Sequence, residues 1–185
     1  MGCDTEPLSN EAVTHRVWPL RMLPDGRKPQ VTSSFRNALR RDHQGVDLMY
    51  PYTSSDPKVR SGDGGAVVRA GVRRWWVPEG TRCYAIEPGE VTRVGWIGSG
   101  WRIWVWHPYA GISSGYFHLR EISSDVHQVG ARVRTGQALG LVGDNPKTHD
   151  PVHLHLEVIQ GRAFADPLPR LDPEEVLKSA RLLSP

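Results

Sequence analysis

Two histidines separated by a single residue stand near the end of the chain, in the run His153-Leu154-His155-Leu156-Glu157-Val158. The alternation of polar and aliphatic residues predicts a β-strand, in which successive side chains point to opposite faces. His153 and His155 would then share one face, while the aliphatic side chains face a core. Their imidazoles would lie about 6–7 Å apart along the backbone, close enough to serve one metal ion or one reacting group.

A second pair of metal-ligand types occurs earlier, in His43-Gln44-Gly45-Val46-Asp47. Gly45 weakens a helical interpretation and favours a loop that enters a strand. Two imidazoles and one carboxylate suit zinc, with a fourth position left for water. The spacing does not decide which of His153 and His155 would be the ligand. The alternatives are a surface ion pair for His43 and Asp47, and a solvated sheet face for the histidine pair.

A further histidine stands in Gly115-Tyr116-Phe117-His118-Leu119. Strand alternation predicts that Tyr116 and His118 point the same way and that Phe117 opposes them. A neutral His118 could act as general base or acid, and Tyr116 could donate a hydrogen bond to a developing oxyanion. The alternative is a satisfied strand histidine and a tyrosine at the edge of the core. His149 is a weaker candidate, for substrate contact.

Composition indicates a soluble globular chain of 185 residues, with 38% hydrophobic and 23% charged residues, which suits one domain. The absence of any run of about 18 apolar residues predicts no transmembrane helix, and the first residues contain no recognisable signal peptide. Cys3 and Cys83 are too few for a disulfide framework, so we expect two free thiols. The net charge of +3 suits an anionic partner without identifying it.

Closely spaced strand patterns separated by turn residues predict a mainly β fold: a single antiparallel sheet with the active-site groove on the sheet. The predicted strands are 82–87, 90–96, 101–107, 111–118, 137–142 and 152–159. Residues 1–30 form an irregular N-terminal arm, 31–171 the main domain with an inserted loop at 49–76, and 172–185 a C-terminal helix and tail. The helix is predicted because Asp172 is a capping residue and Pro173 suits the first helical position, and it should reach about Leu183.

Four motifs in order resemble the lysostaphin-type (LytM-like) zinc metallopeptidases, which cut peptidoglycan cross-links. The HxGxD motif of that family matches residues 43–47, its YxHL motif matches 116–119, and its GQxxGxxG run matches 136–143. The final HxHxE motif matches 153–157. Any one of these motifs is weak, but four in the order of the family and spanning about residues 33–171 indicate membership.

The resemblance implies roles that the spacing left open. His43, Asp47 and His155 would bind Zn²⁺, while His118 and His153 would assist a zinc-bound water in attacking the scissile carbonyl, with Tyr116 as a further catalytic candidate. The implied activity is a zinc endopeptidase acting on peptidoglycan cross-links or stem peptides. The implied location is the extracellular or periplasmic cell wall, reached by release on lysis or as a trimmed form. We expect a monomer that neither binds nucleic acid nor inserts into membranes.

Two other functions remain as alternatives. The first is a catalytically silent wall-binding or regulatory module of the same fold, which the complete set of ligands makes the weaker interpretation. The second is a carbohydrate- or nucleic-acid-binding β domain that uses tryptophans and arginines as platforms, and it leaves the histidines unexplained. Two departures from the family, the insertion at 49–76 and the loop at 144–152, are expected to flank the groove and to affect which bond is cut.

Overall fold

A computed structural model describes residues 16–53, 75–78, 80–143, 152–163 and 168–185. Eleven strands form one sheet, with the order β1-β2-β10-β7-β6-β5-β8 along its main path. The pairings between named strands are antiparallel, which confirms the predicted mainly β class. The strands are β1 Gln30–Ser33, β2 Val46–Pro51, β3 Trp75–Trp76, β4 Arg82–Tyr84, β5 Gly89–Trp96, β6 Trp101–His107, β7 Ile112–Ile122, β8 Arg132–Val133, β9 Ala138–Val142, β10 Leu154–Gln160 and β11 Arg170–Leu171.

The two faces of the sheet differ in polarity because the strands alternate. One face supplies the main core, into which Val46, Leu48, Ile103, Tyr116 and Leu156 are fully buried. The opposite face, named the open face, carries His118, His153 and His155 and a smaller buried cluster of Trp104, Phe117, Ile159 and Ala163. Fully burying one large aliphatic side chain of this kind contributes about 1.5–3 kcal/mol, so the core face holds the strands in register and thereby fixes the open face.

The irregular segment before β1 is attached to the C-terminal part of the chain. Val17 forms a parallel bridge with Arg181, and Arg16 forms an ion pair with the buried Glu87. The helix α1 spans Pro173–Leu177, and its cap residue Asp172 accepts a hydrogen bond from the backbone N–H of Glu174. The capping prediction is confirmed, but the expected extension to Leu183 is wrong. The chain leaves the helix after Leu177 because the next residues turn back toward Val17.

The predicted insertion at 49–76 begins within β2 and ends with β3, and these two strands form a short antiparallel pair. Tyr50 pairs with Trp76 and Pro51 with Trp75, and the rings of Tyr52 and Trp76 meet edge to face at 5.8 Å. Residues 54–74 lie outside the described part of the chain, as do His149 and Cys3. Among the described residues no helix is long and apolar enough to cross a membrane. Cys83 is a buried free thiol, and burial raises its pKa.

A polar network crosses the core beneath β6 and β7. His107 Nδ1 donates to the carbonyl of Pro88 at 3.0 Å, which leaves its Nε2 as an acceptor 2.7 Å from Ser114 Oγ. Ser114 Oγ lies 2.9 Å from the hydroxyl of Tyr116, and that hydroxyl accepts from the backbone N–H of Ile86. Every donor has an acceptor when His107 is neutral. Burial of the imidazole lowers the pKa of His107 to about 4.

The lowered pKa of His107 predicts acid destabilisation in a defined window. The unfolded chain takes up a proton near pH 6.5, whereas the folded chain resists it until about pH 4, so stability falls as the pH drops between these values. The full effect is about 3 kcal/mol. Chemical denaturation across pH 4–7 should show this loss in the wild type and less of it in His107→Asn. An NMR titration of the wild type in which His107 protonates near pH 6.5 would contradict the assignment.

Candidate metal and catalytic centre

Three side chains from two strands and the loop before β2 converge at one point. Asp47 Oδ1 lies 3.0 Å from His43 Nε2 and 2.8 Å from His155 Nδ1, and these two nitrogens are 3.2 Å apart. Antiparallel pairing of β2 with β10 sets His155 directly opposite Asp47. His43 and Asp47 are buried, and His155 is mostly buried.

Hydrogen bonds on the outer sides of the rings determine what faces inward. His43 Nδ1 lies 2.9 Å from the carbonyl of Ser34, which can only accept, so His43 Nδ1 carries the proton. His155 Nε2 faces a carboxylate oxygen of Glu157 at 3.3 Å and donates to it. In the neutral rings, His43 Nε2 and His155 Nδ1 therefore both present lone pairs toward an acceptor-only carboxylate. Such an arrangement requires an additional proton or a metal cation among the three atoms.

The dimensions of the cluster agree with a metal site. Zinc bound to nitrogen and oxygen at about 2.0–2.2 Å in a tetrahedron separates its ligand atoms by about 3.3 Å. The three observed separations, 2.8 to 3.2 Å, require only a slight outward movement to reach that value. The donor set of two imidazoles and one carboxylate is also one that zinc accepts at catalytic sites.

Two arginine–carboxylate pairs support this cluster from outside. Arg40 Nη1 donates to Asp47 Oδ2 at 2.8 Å, so the second carboxylate oxygen is engaged away from the histidines. Glu157 is buried, and it is bonded to Arg170 of β11 as well as to His155. Both pairs hold a ligand in one orientation, which is how outer partners commonly tune a metal site.

Gly45 permits the close approach of the loop to β10. A Cβ atom placed on Gly45 would lie 2.2 Å from the carbonyl oxygen of Leu156 and 2.9 Å from His155 Nε2. Any side chain at this position would therefore displace β10 together with His155. The glycine between His43 and Asp47 is explained by this contact.

Burial and hydrogen bonding shift the pKa values within the cluster. Burial alone would raise the pKa of Asp47, but the hydrogen bond from His155 and the potential of the surrounding histidines outweigh it and hold that pKa well below the usual range. For His155, burial opposes the charged form, yet the hydrogen bonds to Asp47 and Glu157 raise its pKa. Asp47 is consequently a full carboxylate at neutral pH, as a metal ligand must be.

His118 occupies a strained backbone position beside this cluster. Its φ is +60°, in the left-handed region that residues other than glycine rarely adopt. Its Nδ1 donates to the carbonyl of Ser99 at 3.1 Å, which leaves Nε2 free. Gly100 lies against the His118 backbone, with a would-be Cβ 3.3 Å from its Cα, and the N–H of Gly143 binds its carbonyl. Burial and then the neighbouring His153 lower the pKa of His118 to about 4, so it is neutral at pH 7.

The strained backbone of His118 lies next to a β-bulge in β7. This bulge changes which side chains of β7 share a face. Between the pairs Trp101–Leu119 and Ile103–Tyr116, β7 advances by one residue more than β6. Phe117 consequently packs against His155 on the open face, with ring centroids 5.5 Å apart, and His118 follows it there. The prediction that Tyr116 and His118 share a face is wrong because the bulge adds a residue between them.

Tyr116 lies on the core side and is fully buried. Its hydroxyl is held by Ile86 and Ser114 in the network described above. Burial raises the pKa of this phenol. The predicted role of Tyr116 as a donor to a reacting oxyanion is therefore contradicted by its position.

The described residues bring five of the six predicted site residues into one groove. His153 lies against His118, with ring centroids 4.7 Å apart, and its Nε2 is 3.6 Å from Asp47 Oδ1. A cavity of about 480 Å³ opens over the cluster. Its walls also include residues to which the sequence assigned no role: Thr32, Ser33, Arg40, Met49, Phe117 and Glu157. Glu157 follows His155 by two residues, so both side chains share one face of the strand. This spacing could have indicated the contact between them.

One known protein family matches this chain. The model of Peptidase family M23 matches residues 74–167, just over half of the chain, including His118, His153 and His155. His43 and Asp47 precede the matched stretch. No curated protein matches the sequence.

Solved structures share the fold at low sequence identity. A Ruminococcus gnavus protein described as a glycyl-glycine endopeptidase LytM is 24% identical over 92% of this chain, with a TM-score of 0.62, and this chain spans only 63% of it. The catalytic domain of lysostaphin from Staphylococcus simulans is 21% identical, with coverage of 83% of this chain and 94% of that domain and a TM-score of 0.52. A chain of the SpoIIIAH and SpoIIQ complex is 17% identical, with coverage of 87% and 99% and a TM-score of 0.56.

Fold and site together define an open antiparallel β protein with a preformed His–Asp–His cluster on one sheet face. The chain belongs to Peptidase family M23. The resemblance drawn from the four sequence motifs is thereby confirmed at the level of the family.

The burial of Tyr116 predicts a structural effect from removing its hydroxyl. Tyr116→Phe leaves the N–H of Ile86 without an acceptor and should lower the free energy of unfolding by about 1–3 kcal/mol, without reducing any hydrolytic activity of the folded protein. Tyr109→Phe is the matched control, because Tyr109 is 73% exposed and should be neutral. Denaturation and activity measured on the same samples separate the two effects. A Tyr116→Phe protein that is stable but inactive would restore the catalytic role.

Proposed function

We propose that the chain is a zinc-dependent endopeptidase that hydrolyses peptide cross-links or stem peptides of bacterial peptidoglycan. The observation that carries this proposal is the convergence of His43 Nε2, Asp47 Oδ1 and His155 Nδ1, with His118 and His153 beside them. Membership of Peptidase family M23 supports peptide hydrolysis, and the names of the lysostaphin and glycyl-glycine endopeptidase neighbours support a cell-wall substrate. The proposed catalytic domain is 31–171.

His43, Asp47 and His155 would hold the zinc ion. When bound, zinc would supply a Lewis acid for the scissile carbonyl and would make water acidic enough to act as a nucleophile near neutral pH. Arg40 keeps Asp47 oriented through its other oxygen, and Glu157 keeps Nδ1 of His155 directed inward. The chain therefore prepares the ligand geometry before the ion arrives.

Proton transfer is assigned to the two remaining histidines. Ser99 fixes His118 with its unprotonated Nε2 turned away from the loop, so this nitrogen is available to accept a proton. His153 lies within contact of both His118 and Asp47, where it can stabilise developing negative charge or return a proton to the leaving amine. Phe117 packs on His155 and keeps one side of the groove apolar, which strengthens these electrostatic contacts.

The complete set of ligands and proton carriers argues against a catalytically silent module. A degenerate member of the fold would have no reason to retain five converging polar side chains with their supporting bonds. The same consideration disfavours a purely carbohydrate- or nucleic-acid-binding domain at this groove.

Separate substitutions distinguish the metal role from the proton-transfer role. His155→Ala should abolish both zinc binding and lysis of cell walls. His118→Ala should keep about one zinc per chain and lose roughly 10²–10⁴-fold in rate, the usual size of a general acid–base contribution. His127→Ala, an exposed histidine packed on Trp101, serves as the control. Zinc content and a turbidity assay, with and without chelator, provide the readouts. A fully lytic His118→Ala protein would remove His118 from the mechanism.

The bond between Glu157 and His155 predicts an effect on metal affinity. Glu157→Gln removes the negative charge that orients Nδ1 of His155, and we expect zinc to bind about 10–100-fold more weakly. Arg170→Gln leaves the carboxylate and its bond to His155 in place, so its effect should be smaller. Competition with a chelator measures both affinities directly. Equal affinities in wild type and Glu157→Gln would show that the orientation of His155 does not depend on Glu157.

A further inference from the structure

A second and larger cavity lies on the same face of the sheet, away from the His43–Asp47–His155 cluster. Trp104 stacks edge to face on Phe117, which places it on the open face, and Trp106 follows two residues later on the same strand. Trp106 pairs with Ser113, whereas Phe117 pairs with His155. Phe117 is four positions after Ser113, which separates the two places by roughly 13 Å along β7.

This distal cavity has a volume of about 830 Å³, against about 480 Å³ for the groove over the metal cluster. Trp106 is half-buried in its wall, and the ring of Tyr109 is 73% exposed at its rim. Rings presented in this way offer apolar surface with a polar edge, the kind of platform on which a sugar ring can pack. The aromatic lining is thus suited to a ligand that has both apolar and polar surface.

The charges of the distal cavity are unbalanced. Its carboxylates are already engaged, since Arg162 binds Glu90 at 2.8 Å and Gln137 Nε2 donates to Asp125 at 2.8 Å. Arg132 and Arg134 also line the cavity, and within the described residues neither guanidinium has an ionic or hydrogen-bond partner. Two guanidinium groups with unused N–H donors stand beside an aromatic wall. This combination favours a ligand that carries carboxylate or phosphate groups.

We propose that the distal cavity binds a cell-wall saccharide that carries a free acidic group, while the peptide portion of the wall occupies the histidine groove. The choice of a wall polymer rests on the proposed function, whereas the class of ligand, an anionic saccharide, rests on the cavity itself. A nucleic acid fits less well, because its affinity depends on many neutralised phosphates and this cavity offers three arginines against two carboxylates. The cavity would raise affinity for wall over free peptide by adding a second point of attachment.

Binding of peptide-free material tests the cavity without involving the histidine groove. The probes are glucuronic acid, which bears a free carboxylate, the matched neutral sugar glucose, glycerol 3-phosphate, and a short DNA duplex. Titration calorimetry on the full chain should detect glucuronic acid and not glucose. Tighter binding of glycerol 3-phosphate would support the cavity and assign its anion to a phosphate-bearing polymer. Tighter binding of the duplex would overturn the proposal in favour of a nucleic acid.

Charge-matched variants localise the effect. Arg132→Ala/Arg134→Ala should weaken binding of the acidic sugar at least tenfold and reduce co-sedimentation with intact walls. Arg82→Ala/Arg181→Ala removes the same charge from exposed residues that do not line the cavity, and it should change binding less than twofold. Equal losses in both double variants, or no loss in the first, would overturn the proposal.

Hydrolysis of a short soluble peptide separates this proposal from the proposed function. Both double variants should cleave that peptide with the kcat/KM of the wild type, because neither touches the histidine groove. Wild-type protein that binds acidic sugar but cleaves no peptide would leave the cavity standing and remove the peptidase assignment. Peptide cleavage without sugar binding would do the reverse.

Discussion

The antiparallel register between β2 and β10 is the constraint on which the centre depends. It places His155 opposite Asp47, so that one carboxylate oxygen meets two imidazole nitrogens at 2.8 and 3.0 Å. A slip of one residue would turn the histidines into the core and the leucines to solvent. The buried aliphatic face, with Val46, Leu48 and Leu156, therefore protects the chemistry on the opposite face by making that slip costly.

The local sequence patterns were sufficient for the mainly β class, for most of the long strands and for the residues that gather at the centre. Period-two alternation predicted β6 and β10 well, because aliphatic side chains recur at every second position on the core face of each strand. The very short strands β3, β8 and β11 were not predicted, since two-residue pairings leave no periodicity to detect. The predicted helix was too long because the chain after Leu177 turns so that Arg181 can pair with Val17, a residue far away in sequence.

For Tyr116 and His118, strand alternation predicted the wrong faces of the sheet. The bulge in β7 and the left-handed backbone of His118 depend on the approach of Gly100 and Gly143 from other elements, and neither is visible in the strand pattern itself. The second carboxylate–arginine pair was also missed, because Arg170 reaches Glu157 only through the pairing of β11 with β10. Properties set by neighbouring strands require the assembled sheet.

His155 lies 108 positions after Asp47 and 112 positions after His43, so the cluster joins two segments that are far apart in the chain. His43 and Asp47 are made before His155 and do not meet it until β10 has been made and paired with β2. The complete His43–Asp47–His155 cluster therefore forms only after most of the chain between these residues has folded. An ion held by both segments would also tie them together and restrict the unfolded chain, which links metal supply to the lifetime of the folded protein.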